Sequence, residues 1–190
     1  MSTTKSRTWP LAEAREVAEG LITLLRPACE RIEVAGSVRR KKELVGDVEL
    51  LAISKTSAHG QMTFDRPRKV VSALDVRVGE LIAKGVFAYR LNTRGYRTYG
   101  DWNKLLTHVP SGIALDLFSA TVANYGMSLV VRTGPKDFNI RMMARFRALG
   151  LRGHAYGGVT GLDGLEIACP TEEEVFRLLQ WAYVAPEKRV

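Results

Sequence analysis

The apolar positions of this chain change period several times, and each change marks an element. Over residues 10–25, Leu11, Ala14, Val17, Leu21 and Leu24 recur at helical spacing, and Pro10 suits a first helical turn. Residues 31–35 alternate polar and apolar, as a half-buried strand does. Gly36-Ser37 breaks that strand, and Ser37 is the expected N-cap of a short helix running through Leu44. A second strand over 47–53 is carried by Val48, Leu50, Leu51 and Ile53. Residues 55–64 read as a polar loop, and 67–84 as a second long helix closed by Gly85.

The pattern then shortens. Residues 86–109 hold several short strands parted by Asn92, Gly95, Gly100 and Asp101, and 113–118 form an apolar strand interrupted by a single acid, Asp116. Residues 121–131 and 136–149 read as helices on either side of Thr133-Gly134-Pro135. A strand over 165–168 and a helix over 171–181 follow, the helix opened by a capping box of Thr171 with Glu174 three residues on. The sum is an α+β fold with mostly antiparallel strands. A seam near 131–136 parts the chain into expected units of 1–131 and 132–190.

Composition narrows the picture. The chain of 190 residues is 46% hydrophobic and 25% charged, an ordinary globular balance. A chain of this length can bury roughly 70% of its unfolded surface. A disordered tail, a collagen-like fibre and a disulfide miniprotein are thereby excluded. No apolar run approaches the roughly 20 residues that span a bilayer, and the polar N-terminus lacks the apolar centre of a secretory signal. A cytoplasmic or nucleoid-associated protein without a membrane partner is expected. Cys29 and Cys169 make neither a disulfide framework nor a zinc spacing and read as reduced core thiols. Lys and Arg number 28 against 20 Asp and Glu, a net charge of +8, which points to a polyanionic partner.

The chemistry concentrates in Gly36-Ser37-Val38-Arg39-Arg40 and Gly46-Asp47-Val48-Glu49-Leu50. Residues i and i+2 of a strand share a side, so Asp47 and Glu49 project together from an otherwise apolar strand. Neighbouring carboxylates repel one another unless a cation sits between them, and hard divalent ions such as Mg²⁺ prefer oxygen ligands. Upstream, Gly36 permits close backbone approach, Ser37 begins a helix whose free N–H groups suit a phosphate, and Arg39 and Arg40 add phosphate donors. A carboxylate pair beside a phosphate cradle is the pattern nucleotidyl transfer requires.

This stretch resembles the nucleotidyltransferase superfamily, and within it the X family of DNA polymerases, the family of polymerase beta. Ala114-Leu115-Asp116-Leu117 is similar to the strand that supplies that family's third metal-binding acid. Thr133-Gly134-Pro135-Lys136-Asp137-Phe138-Asn139 resembles its Thr-Gly-Ser motif with the following Asn, and residues 170–176 with 186–189 resemble the end of its thumb. The resemblance implies a nucleotidyltransferase palm with a mixed or antiparallel sheet and flanking helices, plus a small α/β thumb. It implies that Asp47, Glu49 and Asp116 bind two Mg²⁺, with Mn²⁺ as a substitute, and serve as the catalytic acids. Gly36, Ser37, Arg40 and Gly46 would hold the triphosphate, and Gly134 and Asn139 the sugar and base. The implied partners are gapped or primer–template DNA and deoxynucleoside triphosphates, the implied state a monomer, and the implied work short-gap filling in repair. The Gly134-Pro135 bond is expected to be cis by the same comparison.

The chain departs from that family in several places. The second acid is Glu49, not Asp. Ala114 stands where the family often has Arg, which leaves Asp116 without that orienting partner. Val131-Arg132 replaces a Tyr-Phe pair, which leaves discrimination against ribonucleotides open, and helix-hairpin-helix modules are not visible. A template-independent or ribonucleotide-adding transferase, or a catalytically silent nucleic-acid-binding module, are the alternatives. Basic residues gather at Arg132, Lys136, Arg141 and Arg145, with Arg147 and Arg152 beyond, and the first four are expected to contact DNA. Aromatics interleave with charge over 89–102, either to stack bases or to pack on the core. His59, His108 and His154 have no ligand spacing and read as surface or structural residues.

Overall fold

A computed structural model of the chain describes residues 7–59 and 69–190. In chain order the elements are β1 (Trp9–Pro10), α1 (Leu11–Leu25), β2 (Cys29–Val34), α2 (Gly36–Arg39), β3 (Leu44–Val45), β4 (Asp47–Ser54), β5 (Thr56–His59), β6 (Lys69–Ser72), α3 (Ala73–Ala83), β7 (Phe87–Tyr89), β8 (Asn103–His108), β9 (Ala114–Ser119), α4 (Tyr125–Thr133), α5 (Lys136–Ala148), β10 (Arg152–Gly153), β11 (Val159–Thr160), β12 (Glu166–Ile167) and α6 (Glu172–Leu179). The fold is α+β, as its sequence pattern predicts.

A five-stranded sheet in the order β2-β4-β9-β8-β7 organises the larger part of the molecule. Its pairs are antiparallel except the central β4–β9 pair, which is parallel. Alternation along β4 sends Val48, Leu50 and Ala52 to one face. There they pack with Leu106, Leu115 and Leu117 of the neighbouring strands, with Ala14, Ala18 and Leu21 of α1, and with Leu74, Val78 and Leu81 of α3. The other face carries Asp47, Glu49 and Leu51. Leu51 lies with Phe118 under Tyr125 and Leu129 of α4. That second cluster begins beyond the acid-bearing start of β4 and β9.

α4 serves two cores. Its Met127 and Val130 join Phe138, Met142 and Phe146 of α5 and Val175, Phe176 and Leu179 of α6 in a separate cluster. The small sheet β10-β11-β12 belongs to this C-terminal region. Gly126 is needed where α4 meets the chain entering α6, because a Cβ there would run into the Thr171 backbone. α6 opens with the expected capping box of Thr171 and Glu174.

Four local expectations are corrected. Ser37 is not an N-cap: Ala35 holds that position, and α2 ends after four residues, before Lys41 turns at φ 56°. Leu44 and Val45 instead pair with Trp9 and Pro10 in a two-stranded ribbon. Within the expected loop, Thr56–His59 is a strand paired with Lys69–Ser72, where β-branched Val70 and Val71 favour extended backbone. The following helix therefore starts at Ala73 and not at Pro67. Ser72 caps it, accepting a hydrogen bond from the Asp75 N–H at 3.1 Å. Residues 60–68 of those two expectations lie outside the described residues. Residues 121–124 form a capped turn, with Asn124 Oδ1 accepting from the Thr121 N–H at 2.9 Å, so α4 begins at Tyr125.

Candidate active site

The parallel register of β4 and β9 places Glu49 beside Asp116, with Asp47 paired to Ala114 two residues nearer the strand starts. Three carboxylates from two adjacent strands thus share one face. Their protons report the crowding. Burial, then the charges of Asp47 and Asp116, push the Glu49 carboxyl up to about 8. Burial likewise raises Asp116 to about 6, with Arg90 opposing and Asp47 adding to the rise. Asp47 is raised by burial, against the pull of Arg90 and Arg40.

Gly36 closes one side of this group. Its φ of +62° is left-handed, and any Cβ there would overlap the Glu49 carboxylate. Arg40, one turn on, donates to the Thr133 carbonyl at the end of α4. Beyond Thr133 the chain passes through Gly134, at φ +63°, into a cis bond to Pro135, as the comparison of motifs predicts. Asn139 Nδ2 donates back to the Val131 carbonyl at 2.8 Å. Arg40, Gly134, Pro135 and Asn139 wall a cleft of about 600 Å³ whose lining also includes Glu49, Arg132, Lys136 and Arg147. Among the described residues, Ser37 Oγ, Arg40 Nε and Asn139 Oδ1 are buried without a hydrogen-bond partner. Arg40 and Asn139 line the cleft, where a buried polar atom left unpaired marks a place for a ligand to supply the bond. Gly46 sits in the turn between β3 and β4, with open space around it.

A second network ties α2 to the C-terminal region. Arg39 donates to both Glu172 carboxylate oxygens, at 2.7 and 2.8 Å, and to Thr133 Oγ1 at 2.9 Å. Arg189 Nη1 donates to Glu172 Oε1 at 3.0 Å, and Tyr183 to Oε2 at 3.2 Å. Burial alone would raise the Glu172 pKa, but the two guanidiniums outweigh it and lower the value. Nothing in the sequence signals this clasp, because its partners lie 133 and 17 residues apart.

The expected DNA-contacting residues divide. Arg132 and Lys136 line the cleft. Arg132 also stacks on Phe118 at 3.8 Å, and burial lowers its pKa. Arg141 and Arg145 point elsewhere: Arg141 donates to the Val190 carbonyl, and Arg145 to the Leu179 carbonyl at 3.1 Å and Gln180 Oε1 at 2.9 Å. Arg145 thus closes the end of α6 and Arg141 holds the carbonyl of Val190, so both guanidiniums are engaged within the C-terminal region and neither lines the cleft. Arg147 is the arginine of α5 that reaches the cleft.

In the aromatic stretch, Arg97 lies over Tyr89 at 3.2 Å, and Tyr89 meets Tyr99 edge-on at 5.3 Å, so these rings are taken up with one another. His108 and His154 are held by Ser111 and Thr160 hydroxyls. The His59 side chain lies outside the described residues. Cys29 and Cys169 are free and buried, their thiols pushed up to about 11 by burial.

Arg90 is the residue that motif spacing misses. Asp116 has a partner after all: the Arg90 guanidinium, reaching across β8 from the edge of the sheet after β7, donates to Asp116 Oδ1. In this conformation no three His, Cys, Asp or Glu side chains among the described residues are gathered to hold one metal ion. The donor chemistry nonetheless suits a hard divalent cation. Three carboxylates share one half-buried face, burial raises the pKa of each, the charges of Asp47 and Asp116 add to the rise at Glu49 and that of Asp47 to the rise at Asp116, and the arginines around them offset this only in part.

Comparison with known proteins agrees with this architecture. Residues 128–190 match the family described as DNA polymerase beta thumb. Over 172 residues, 88% of this chain and 86% of theirs, the chain is 23% identical to proteins named Repair DNA polymerase X from two African swine fever virus isolates, one from a warthog in Namibia and one from a tick in South Africa. No helix among the described residues is long and apolar enough to cross a membrane. The resemblance to the X family of DNA polymerases carried by the motifs is borne out by these likenesses, and the C-terminal third of the chain is similar to a polymerase beta thumb.

Proposed function

We propose that this chain is a template-directed DNA polymerase that adds deoxynucleotides to a primer 3′-hydroxyl and fills short gaps during repair. The observation that carries this is the register of β4 and β9, which sets Glu49 beside Asp116 and next to an arginine-lined cleft. Asp47, Glu49 and Asp116 would hold two Mg²⁺, or Mn²⁺ in their place. When bound, such ions activate the attacking hydroxyl and neutralise the leaving pyrophosphate.

The protein's own groups do the remaining work. Arg40 and Ser37 offer unpartnered donors to the triphosphate. Gly36, by lacking a Cβ, lets Glu49 sit against the turn that carries them. Asn139, fixed through Nδ2, presents Oδ1 toward the nucleotide. Arg132, Lys136 and Arg147 supply positive charge for DNA phosphates. The working division is a palm of residues 1–131 and a thumb of residues 132–190, acting as a monomer. Its boundary falls in the last turn of α4, and the separate clusters of the large sheet and of α5 with α6 favour two units, with Met127 and Val130 of α4 reaching into the second.

Arg132 favours a second reading of sugar choice. It lines the cleft where the X family has an aromatic pair, which supports acceptance of ribonucleotides. Extension of a labelled primer on gapped, nicked and single-stranded DNA, with each deoxy- and ribonucleotide, tests both. Template-matched extension on the gapped substrate is expected. Tailing of single strands without template preference would assign the chain to the template-independent class.

A further inference from the structure

Asp116 is held by a residue that the motif does not contain. Two positions before it stands Ala114, too short to reach the carboxylate. The contact comes from the edge of the sheet instead. The Arg90 backbone N–H donates to the Leu105 carbonyl at 3.0 Å, and Leu105 is the register partner of Asp116 on β9. The Arg90 side chain therefore starts two strands away and lies across β8. Its Nε donates to the Leu106 carbonyl at 3.3 Å, and its Nη2 to Asp116 Oδ1. Asp116 is in turn the register partner of Glu49. A guanidinium thus ends a row that runs Glu49, Asp116, Leu105, Arg90 across the sheet. The pair is reachable from solvent, with side chains 30% and 19% exposed.

An arginine that only orients a ligand carboxylate helps a cation to bind. One that occupies the cation's place opposes it. The geometry points to the second role: the guanidinium is bonded to the carboxylate itself, and the three acids are not gathered about a common point. We propose that Arg90 is a resident counter-cation of the acid site. It holds Asp116 in the ion-free protein, must yield the carboxylate when a divalent cation enters, and so sets how tightly that cation binds. The proposal rests on the nucleotidyl-transfer reading of the three acids. Arg90 is a positioning residue, since its contact is with Asp116 and not with reacting atoms.

The test is Mn²⁺ binding to the nucleotide-free protein, followed by the electron paramagnetic resonance signal of free Mn²⁺. Arg90→Gln removes the charge, Arg90→Met keeps apolar cover over β8, and Arg90→Lys keeps the charge. Removing one positive charge about 5 Å from a divalent ion in a water-like medium should tighten binding about tenfold. The Gln and Met variants are expected to show that gain, and the Lys variant to stay near wild type. Equal or weaker binding in both neutral variants, with wild type binding normally, would overturn the Arg90 proposal alone. No Mn²⁺ binding by wild type or any variant would overturn the reading of the acids and the proposal with it.

Discussion

Replacing Glu172 with alanine should cost the protein a large part of its stability. The carboxylate is 5% exposed and accepts four hydrogen bonds, two from Arg39 and one each from Arg189 and Tyr183. Arg189 is itself only 2% exposed, and its Nη2 is already without a partner. Glu172→Ala would leave that guanidinium buried without a counter-charge, and Arg39 without its bidentate acceptor. Breaking a buried ion pair from one side costs about 3–5 kcal/mol. In a chain of this size each kcal/mol moves the midpoint by about 2–4 °C, so Tm should fall by about 6–20 °C. Glu172→Gln keeps the volume and one acceptor and should lose less. Urea unfolding followed by far-ultraviolet circular dichroism gives the free energy, and a thermal scan gives Tm. A loss under about 1 kcal/mol in the alanine variant would refute the view that this network clasps α2 to the thumb. The same variant should weaken nucleotide binding, because Arg40 leaves the same short helix as Arg39 and both grip Thr133.

Asp47→Asn and Asp116→Asn should each abolish nucleotide incorporation while the far-ultraviolet spectrum is kept, and the ion-free Tm should hold or rise as a repelling charge is removed; an active, metal-dependent Asp116→Asn enzyme would contradict the site. Glu49 and Asp116 have raised pKa values, so the folded state binds their protons more tightly than the unfolded chain does. The stability this gives is present below about pH 4 and is lost as pH rises through about 6 for Asp116 and about 8 for Glu49. In chelator, Tm should decline across that window, Mg²⁺ should flatten the decline, and Glu49→Gln should remove its upper part; a Tm that rises steadily from pH 5 to 8 in chelator would contradict this. Arg147→Ala should lower the slope of log affinity against log salt for duplex DNA by about 0.9 if Arg147 meets a phosphate. Arg141→Ala with Arg145→Ala should leave that slope unchanged and lower Tm instead, since both side chains bind the thumb's own C-terminal segment.

What could be read from the sequence was whatever depends on near neighbours. The stripe of α1, the alternation of β4 and the capping box of α6 are local patterns, and the structure carries each nearly as spaced. The motif Gly36-Ser37 with Asp47 and Glu49 was legible for the same reason, because two turns and one strand fix their relation. Where the pattern misled, a distant partner had decided. Residues 56–59 became a strand only because 69–72 pair with them. Arg141 and Arg145 share a helix face with nothing local to reveal that they bond Val190 and the end of α6. Arg90 lies 26 residues from Asp116, and only the order β9-β8-β7 brings its side chain across. The Arg39–Glu172–Arg189 clasp joins three elements that no sequence period connects.

The central claim is that the acids on β4 and β9 transfer a nucleotide to a primer end. The most direct measurement follows one-nucleotide extension of a gapped primer together with pyrophosphate release, in Mg²⁺ and in chelator, for the wild type and Asp47→Asn. The account predicts template-matched extension with stoichiometric pyrophosphate only for the wild type in Mg²⁺. Extension that persists in Asp47→Asn, or a wild type that binds DNA and nucleotide in Mg²⁺ yet releases no pyrophosphate, would contradict it.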